Sequence, residues 1–281
     1  MKSVKNNVAK KISVQGKTVL LTGATGFFGR YITEGFLAAG AKVILLGRSE
    51  RLRPQVLDLQ KRFGKNQVYG YRVDFYNRAK LTNLLKRVIK SFKIDVLINN
   101  AFDFSPKTGF NTINGRLENT SFDQWQAAFE SGIYWSVLAT QIIGAQMRKR
   151  RLGSIINISS MYGLIAPNPE LYRGTTKFNP PTYGVMKAGV LALTRYTATF
   201  WAEHGIRCNS ISPGAFSNLE TATTNSVQAN DPFLERLKEK TLLGRTGHPR
   251  DLLGALLFLA SDASSYMTGQ NIVIDGGWTV I

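Results

Sequence analysis

The feature that most constrains the fold is a regular alternation of short apolar runs with longer amphipathic stretches. Runs that are apolar nearly throughout are typical of β-strands covered on both faces. The stretches between them have the lengths of helical crossovers, and this alternation predicts one α/β domain with a doubly wound, mostly parallel sheet. The seven predicted strands are 17–23, 41–47, 67–74, 94–101, 153–160, 206–214 and 270–275, and the predicted helices are 27–39, 77–92, 121–150, 183–204 and 249–260.

A glycine-rich turn joins the first predicted strand to the first predicted helix. The segment LTGATGFFGR contains Gly23, Gly26 and Gly29, and this spacing differs from the G-x-G-x-x-G of the usual dinucleotide fingerprint. Glycines at such a turn let the backbone approach a pyrophosphate, and the N-terminus of the following helix supplies free N–H groups. The turn therefore indicates a nucleotide site, with a tight turn that binds nothing as the alternative.

The end of the second predicted strand bears on which nucleotide would bind. In LLGRSERL, Gly47 stands where an acidic residue would bind the ribose 2′-hydroxyl of NAD, and Arg48 follows it. An arginine at this place can pair with a 2′-phosphate. The sequence therefore favours NADP(H), leaves NAD(H) possible, and has a solvated surface arginine as the alternative.

A tyrosine and a lysine lie four residues apart in TYGVMKAG, on one face of a predicted helix. They are Tyr183 and Lys187. A free tyrosine, with a pKa of about 10, is a poor base at neutral pH, but a nearby ammonium together with a cationic nicotinamide favours the phenolate and lowers that pKa. The preceding strand ends in ISS, which places Ser159 or Ser160 at the edge of the sheet where ligands bind in open α/β folds.

With these motifs in order, the chain resembles the short-chain dehydrogenase/reductase family from Gly16 to Trp278. The segment INNA (98–101) is similar to the family's N-N-A-G segment, whose backbone lies against the adenosine. In VDF, Asp74 stands where the family usually has an aspartate that contacts adenine. The resemblance implies a Rossmann-type fold with helices on both faces of the sheet.

The C-terminal third carries the rest of the resemblance. IRCNSISPG is similar to the family's sixth-strand motif, which would place Pro213 and Gly214 beside the nicotinamide. The stretch from LLGRTGHPRD to NIVIDGG is close to a family consensus for the C-terminal end.

The resemblance implies an oxidoreductase that interconverts a ketone or aldehyde and an alcohol by hydride transfer. Tyr183 would be the general acid/base, Lys187 would hold the nicotinamide ribose and lower the pKa of Tyr183, and Ser160 would hydrogen-bond the reacting oxygen. No metal site is expected. The residues expected to hold the cofactor are Gly23, Thr25, Gly26, Phe27, Phe28, Gly29, Arg48, Asp74, Asn100, Ala101, Tyr183, Lys187, Pro213 and Gly214.

The sequence departs from the pattern of the classical subfamily at three positions. Phe27 stands where that subfamily has glycine, a spacing similar to the extended subfamily, whose members carry a longer C-terminal substrate domain. Gly132, seven residues after Trp125, stands where the family often has an asparagine that holds a proton-relay water, so the relay runs differently or turnover suffers. Phe102 replaces the last glycine of N-N-A-G and could narrow the pocket.

The stretch between Ser160 and Tyr183, residues 161–182, is longer than the family norm and is called the insertion below. Its prolines stiffen it, and its polar and cationic side chains predict a lid over the catalytic groups for a polar or anionic substrate. A neutral surface insertion is the alternative. The candidate substrate-binding residues are Phe102, Met161, Tyr172, Arg173 and Lys177.

The insertion and its flanks are similar to long-loop family members associated with flagellin and surface-glycan modification. This similarity implies a sugar-derived or nucleotide-linked substrate. A reductase of an apolar, fatty-acyl or steroid-like carbonyl remains the second enzymatic hypothesis. A non-catalytic, cofactor-sensing regulatory or nucleic-acid-binding protein is the third.

The chain is strongly basic, with 36 basic and 18 acidic residues and a formal net charge of +18. Such a field attracts acidic molecules. The densest run, RKRR at 148–151, lies where a long predicted helix ends and cations favour the helix dipole. No known nucleic-acid motif accompanies it, so a solvated helix end is preferred to a nucleic-acid site.

Several further expectations concern location and assembly. No apolar run approaches the ~20 residues that cross a bilayer, and the basic N-terminus has no apolar segment typical of a secretory signal. The single cysteine, Cys208, lies in an apolar run and is expected to be a buried, inert thiol. We therefore expect a cytoplasmic protein with a basic extension over 1–14 and an oxidoreductase domain over 15–281. The family resemblance implies a homo-oligomer, a tetramer or dimer formed through the helices near 121–150 and 183–204.

Overall fold

A seven-stranded sheet forms the centre of the molecule, and all of its strands run parallel. The structure is a computed structural model, and it describes residues 10–217 and 231–280. The strand order is β3-β2-β1-β4-β5-β6-β7, which confirms the predicted doubly wound sheet. The strands are β1 Thr18–Thr22, β2 Lys42–Gly47, β3 Val68–Arg72, β4 Val96–Asn99, β5 Gly153–Ile158, β6 Ile206–Pro213 and β7 Asn271–Ile274.

Helices connect these strands, and the structure contains two helices that the sequence did not predict. Among the described residues, the α-helices are α1 Phe27–Ala38, α2 Leu52–Phe63, α3 Arg78–Ser91, α4 Phe122–Phe129, α5 Trp135–Arg150, α6 Pro181–Trp201, α7 Pro232–Glu239 and α8 Leu253–Ala260.

Two of these helices, α2 and α7, were not predicted from the sequence. Each buries only two side chains, Leu52 and Leu59 in α2 and Leu234 and Leu237 in α7. These pairs are seven and three residues apart, which is helical spacing, so a helical signal was present but rested on two side chains in each segment. The single helix predicted over 121–150 is interrupted by a π-helical turn, Glu130–Tyr134, between α4 and α5.

The core consists of two layers, one on each face of the sheet. Val19 and Leu21 of β1 pack with side chains of α1, α2 and α8, whereas Leu20 packs with side chains of α3, α5 and α6. Because alternate residues are buried on opposite faces, the central strands β1, β2 and β4 are apolar nearly throughout. Each fully buried aliphatic side chain contributes about 1.5–3 kcal/mol.

The chain order reverses between β1 and β4, and a crevice opens at the carboxyl ends of these strands. Gly23, directly after β1, has φ +70, and a Cβ there would lie 2.9 Å from the Cα of Ala101 after β4. Only glycine allows this conformation and this approach without strain. The two strand ends are therefore close together at the switch point.

The structure bears on the expected N-terminal extension and on the expected lack of membrane-spanning helices. Residues 1–9 of the expected N-terminal extension lie outside the described residues, and Val14, also assigned to it, is buried in the core. Within 10–217 and 231–280, no helix is long and apolar enough to cross a membrane.

Candidate active site

A cavity of about 550 Å³ opens at the carboxyl edge of the sheet. The segments that follow β1, β2, β4, β5 and β6 all contribute to its walls, as expected at a switch point. Most of the predicted site residues line it. They are Gly23, Thr25, Gly26, Phe27, Phe28, Arg48, Asn100, Ala101, Phe102, Ser160, Tyr183, Lys187, Pro213 and Gly214.

The glycine turn forms one wall of this cavity. Gly26 is the N-cap of α1, so the free N–H groups of the first helical turn lie at the wall. Gly29 is absent from the lining, and a Cβ there would lie 2.2 Å from the Gly23 carbonyl oxygen. Gly29 therefore allows α1 to pack against the turn, while Gly23 and Gly26 border the cavity.

Hydrogen bonds between the ends of β1 and β4 fix the floor of the cavity. The Asn100 side chain donates to the carbonyl oxygens of Thr22 (3.1 Å) and Gly23 (3.2 Å). The Thr22 hydroxyl accepts from the backbone N–H groups of Asn100 (3.0 Å) and Ala101 (3.1 Å). The floor is therefore preformed by the chain itself.

Ser160, Tyr183 and Lys187 meet on the opposite wall, and all three are buried. The Lys187 ammonium donates to the carbonyl oxygen of Ile158 at 2.8 Å. The Ser159 hydroxyl is engaged with the carbonyl oxygen of Lys187 at 2.8 Å, whereas Ser160 hydrogen-bonds the Tyr183 side chain. This geometry favours Ser160 over Ser159 as the serine that faces a reacting oxygen.

Burial shifts the pKa values of both the tyrosine and the lysine. Burial raises the pKa of Tyr183 to about 12, and its hydrogen bond with Ser160 lowers it only in part. Burial also lowers the pKa of Lys187 to about 7. In the protein alone, desolvation therefore disfavours the charged form of both side chains, and the lowering of the Tyr183 pKa beside a bound nicotinamide remains a prediction.

Three phenylalanines surround the tyrosine, and Phe102, Phe104 and Phe110 are called the aromatic cluster below. Their ring centroids lie 5.2, 5.7 and 5.2 Å from that of Tyr183. Phe102 and Phe104 line the cavity, and Phe104 is 60% exposed. The cavity is therefore largely aromatic beside the candidate catalytic groups.

The position of the usual relay asparagine is closed by packing. A Cβ on Gly132 would lie 2.6 Å from the Met186 Cβ and 3.2 Å from the Phe102 ring. Gly132 belongs to the π-helical turn between α4 and α5. Glycine is therefore required here by the neighbouring side chains.

Asp103, a buried residue that pairs with Arg48, was not identified from the sequence. Arg48 lines the cavity and pairs with Asp103, whose carboxylate also accepts a hydrogen bond from the Tyr76 hydroxyl. Asp103 follows INNAF directly, and its charge at the end of a predicted strand was the available signal. Its pairing joins residues 55 apart in sequence, which spacing alone does not show.

Besides Gly29, five predicted site residues do not line the cavity formed by the described residues. Asp74 is exposed and accepts a hydrogen bond from the Tyr76 N–H, and Met161 is buried in a small separate core. Tyr172 packs on Phe233, with ring centroids 5.7 Å apart. The other two are Arg173, which pairs with Glu170, and Lys177, which pairs with Asp231. Their binding roles remain predictions.

The insertion is anchored to α7. Besides the Lys177–Asp231 ion pair, the Arg236 side chain of α7 donates to the Arg173 carbonyl oxygen at 2.9 Å. Leu171 of the insertion and Leu237 of α7 share a small apolar core with Trp278. These contacts make the insertion a packed part of the domain.

Comparisons with known proteins agree with this geometry. Residues 23–279 match the family model described as enoyl-(acyl carrier protein) reductase. The chain is 32% identical to the sorbose reductase of Schizosaccharomyces pombe, covering 95% of this chain and 97% of that protein. It is 34% identical to the 3-oxoacyl-[acyl-carrier-protein] reductase of Thermotoga maritima, covering 95% and 99%.

A solved structure is similar over the same extent. The gluconate 5-dehydrogenase from Burkholderia cenocepacia, in complex with NADP and tartrate, aligns with a TM-score of 0.78 and 26% identity, covering 98% of this chain and 99% of that one. The chain therefore belongs to the short-chain dehydrogenase/reductase family and is an oxidoreductase enzyme.

Proposed function

We propose that the protein is an NADP(H)-dependent oxidoreductase that interconverts a ketone or aldehyde and an alcohol on a polar, sugar-like or nucleotide-linked substrate. One observation carries the proposal. Ser160, Tyr183 and Lys187 line the same cavity as the glycine turn and Arg48. An acid–base group and a nucleotide cradle therefore share one enclosed space.

The residues present fit a dinucleotide. The Gly23–Gly26 turn and the first turn of α1 suit a pyrophosphate, and the Trp135 indole N–H, which belongs to a residue lining the cavity, has no hydrogen-bond partner among the described residues. Pro213 and Gly214 line the cavity wall after β6. When bound, the nicotinamide would supply or accept the hydride.

Side chains of the protein would donate the proton to the substrate oxygen and take it back in the reverse reaction. With its pKa raised to about 12, Tyr183 is a phenol at neutral pH and can donate its proton to a carbonyl oxygen. Ser160 would hold the same oxygen by a hydrogen bond. In the reverse direction Tyr183 would first have to lose its proton, and a charged Lys187 would favour that loss.

The preference for NADP(H) rests on Arg48. A guanidinium at the end of β2 can pair with a 2′-phosphate, and the related gluconate 5-dehydrogenase structure holds NADP. NAD(H) remains the alternative cofactor.

The substrate class is supported by the sugar- and sugar-acid-converting relatives. The association with flagellin or surface-glycan modification remains part of this proposal. A specific observation favours the second candidate, reduction of an apolar acyl carbonyl. The aromatic cluster presents an apolar wall beside Tyr183, and one relative is an acyl-carrier-protein-dependent reductase.

We also propose that the protein acts as a homo-oligomer in the cytoplasm. Val185, Tyr196 and Phe200 of α6 and Phe129 of α4 are more than half exposed. Exposed apolar side chains grouped on neighbouring helices are typical of subunit interfaces. Cys208 is buried and its pKa is raised to about 12 by burial, which suits an inert thiol in a reducing compartment.

The test is a turnover screen with NADPH and NADH, monitored by absorbance of the reduced nicotinamide. The substrates are sorbose, 5-ketogluconate, a nucleotide-linked keto-sugar and an acetoacetyl thioester. We expect turnover with a polar substrate, and a loss of about 10²–10⁴-fold in Tyr183→Phe with NADPH binding retained. Turnover restricted to the thioester would establish the second candidate. Tight cofactor binding without turnover of any substrate would support the non-catalytic alternative.

A further inference from the structure

A buried carboxylate stands behind the arginine at the cavity edge. The Asp103 side chain is 1% exposed, and its two oxygens accept hydrogen bonds from Arg48 Nη2 (2.8 Å) and the Tyr76 hydroxyl (2.8 Å). Burial alone would raise the pKa of Asp103, but the hydrogen bonds from Arg48 and Tyr76 outweigh it and hold the pKa below its usual value. The carboxylate is therefore charged and fully engaged.

The surroundings hold Asp103 and Tyr76 in place. The Thr108 hydroxyl donates to the Asp103 carbonyl oxygen at 2.6 Å. The Tyr76 ring lies against Trp135, with centroids 5.0 Å apart, and the Lys107 ammonium lies 3.4 Å from the Tyr76 ring centroid. Asp103 and Tyr76 are thus held in fixed positions, and Asp103 in turn fixes the Arg48 guanidinium.

Arg48 itself is half exposed, at 51% of its side chain, and lines the cavity. A free arginine of this exposure would sample many rotamers, and ordering it on binding lowers affinity. The contact with Asp103 engages Nη1 and Nη2, and a guanidinium has five N–H donors. Donors therefore remain for an anion while the side chain is already ordered.

We propose that Asp103, supported by Tyr76, is a positioning residue that orients Arg48 to bind the 2′-phosphate of NADP(H). Discrimination between NADP(H) and NAD(H) then depends on Asp103, after β4, as well as on Arg48, after β2. The inference rests on the proposed use of NADP(H).

The test measures binding to the protein without a nicotinamide cofactor, by isothermal titration calorimetry with 2′,5′-ADP and with 5′-AMP. We expect Asp103→Asn to weaken binding of 2′,5′-ADP about five- to tenfold and Tyr76→Phe to weaken it about threefold, with 5′-AMP changed less than about twofold. In an Arg48→Ala background, Asp103→Asn should have no further effect. The matched charge control is Asp58→Asn, which removes an exposed carboxylate of α2 paired with Arg62 and should leave both affinities unchanged.

The outcomes distinguish failure of the positioning role of Asp103 from failure of the proposed use of NADP(H). Tighter or unchanged binding of 2′,5′-ADP by Asp103→Asn would overturn the positioning role. If Asp103 only neutralised Arg48, it would weaken phosphate binding in the unaltered protein, and its removal would tighten that binding. Equal loss for both nucleotides would also overturn it. If Arg48→Ala leaves the preference for 2′,5′-ADP intact, the proposed cofactor choice fails instead. Thermal denaturation checks folding, and Tyr76→Phe, which leaves the ion pair in place, provides the test if Asp103→Asn does not fold.

Discussion

At the residue scale, the buried amine of Lys187 links folding stability to pH. Its pKa falls from 10.5 to about 7 because burial disfavours the ammonium. Between these values the unfolded chain holds a proton that the folded chain has released, so protonation favours unfolding. The contribution of Lys187 to stability therefore rises with pH across this window.

We expect the free energy of unfolding to rise by up to about 2 kcal/mol from pH 7 to pH 9 because of this group. Urea denaturation at several pH values measures the slope. Lys187→Met should remove it, because the variant has no amine to titrate. An equal slope in both proteins would show that Lys187 is charged when buried.

Gly132 gives a second prediction at this scale. Restoring the family's asparagine by Gly132→Asn would place a side chain against Met186 and Phe102. Overpacking of this kind costs about 1–3 kcal/mol, measurable by urea denaturation, and activity should fall because Met186 adjoins Lys187 on α6. Gly254→Ala is the control, since a Cβ at Gly254 has open space around it and should be neutral or slightly stabilising. Faster turnover in Gly132→Asn would contradict this account.

The residues that could be predicted from the sequence are those whose role follows from local spacing. Tyr183 and Lys187 are four apart on one helix, and Ser160 ends a strand, so their meeting was predictable. Asp103 was not, because its partners come from two other segments. The pKa direction of Tyr183 also depends on burial by Phe102 and its neighbours, which only the assembled fold reveals.

At the scale of elements, the insertion and α7 behave as one unit. The insertion, whose role as a lid remains a prediction, is joined to α7 through the Lys177–Asp231 pair and a shared apolar core. Asp231 has a second role, because its carboxylate caps α7 by accepting from the Phe233 N–H at 2.9 Å. The ion pair and the cap can be separated by substitution.

Asp231→Asn keeps a good capping side chain and removes the charge. We expect it to lower the free energy of unfolding by about 0.5–1 kcal/mol, since the pair is partly exposed. Asp231→Ala should cost about 1 kcal/mol more because the cap is lost as well. Chemical denaturation compares the three proteins, and equal stability of all three would show that this junction contributes nothing.

The elements differ in how far the sequence determines them. The central strands were predicted because burial on both faces leaves a continuous apolar run, as in ILL of β2, whereas β3 and β7 lie at the two edges of the sheet and are only partly buried. Helices α2 and α7 were missed because each offers only two buried apolar side chains, although these are spaced as in a helix. Their helical state depends on tertiary contacts such as Leu59 and Leu237.

At the scale of the whole molecule, the net charge of +18 acts mainly through its local distribution. At physiological salt a charge is screened within about 8 Å, so cations distant from the cavity add little to cofactor binding. Arg48 lines the cavity, and Lys107 lies over Tyr76 beside the same pair. Because Asp103 neutralises part of this group, the orientation of Arg48 matters more than the total charge.

The exposed face of α6 leads to a prediction about assembly. Val185, Tyr196 and Phe200 recur at helical spacing, and the rings of Tyr196 and Phe200 lie 4.4 Å apart while 61% and 56% exposed. A stripe of this kind on a long helix suits a symmetric contact with a second copy, in which the same surface is used twice. Burying it would remove apolar area that is otherwise left in water.

If the protein assembles through this face as proposed, we expect Phe200→Glu to convert the assembly into smaller species, because a symmetric contact would place two carboxylates in an apolar interface. Sedimentation velocity at micromolar protein measures the change. Leu57→Glu is the matched control, since Leu57 is 51% exposed on α2, away from α6, and should leave the assembly intact. A wild-type protein that sediments as a monomer, or an assembly unchanged by Phe200→Glu, would mean that this face serves another purpose. Retention of nucleotide binding in the dissociated variant would show that the cavity is complete within one chain.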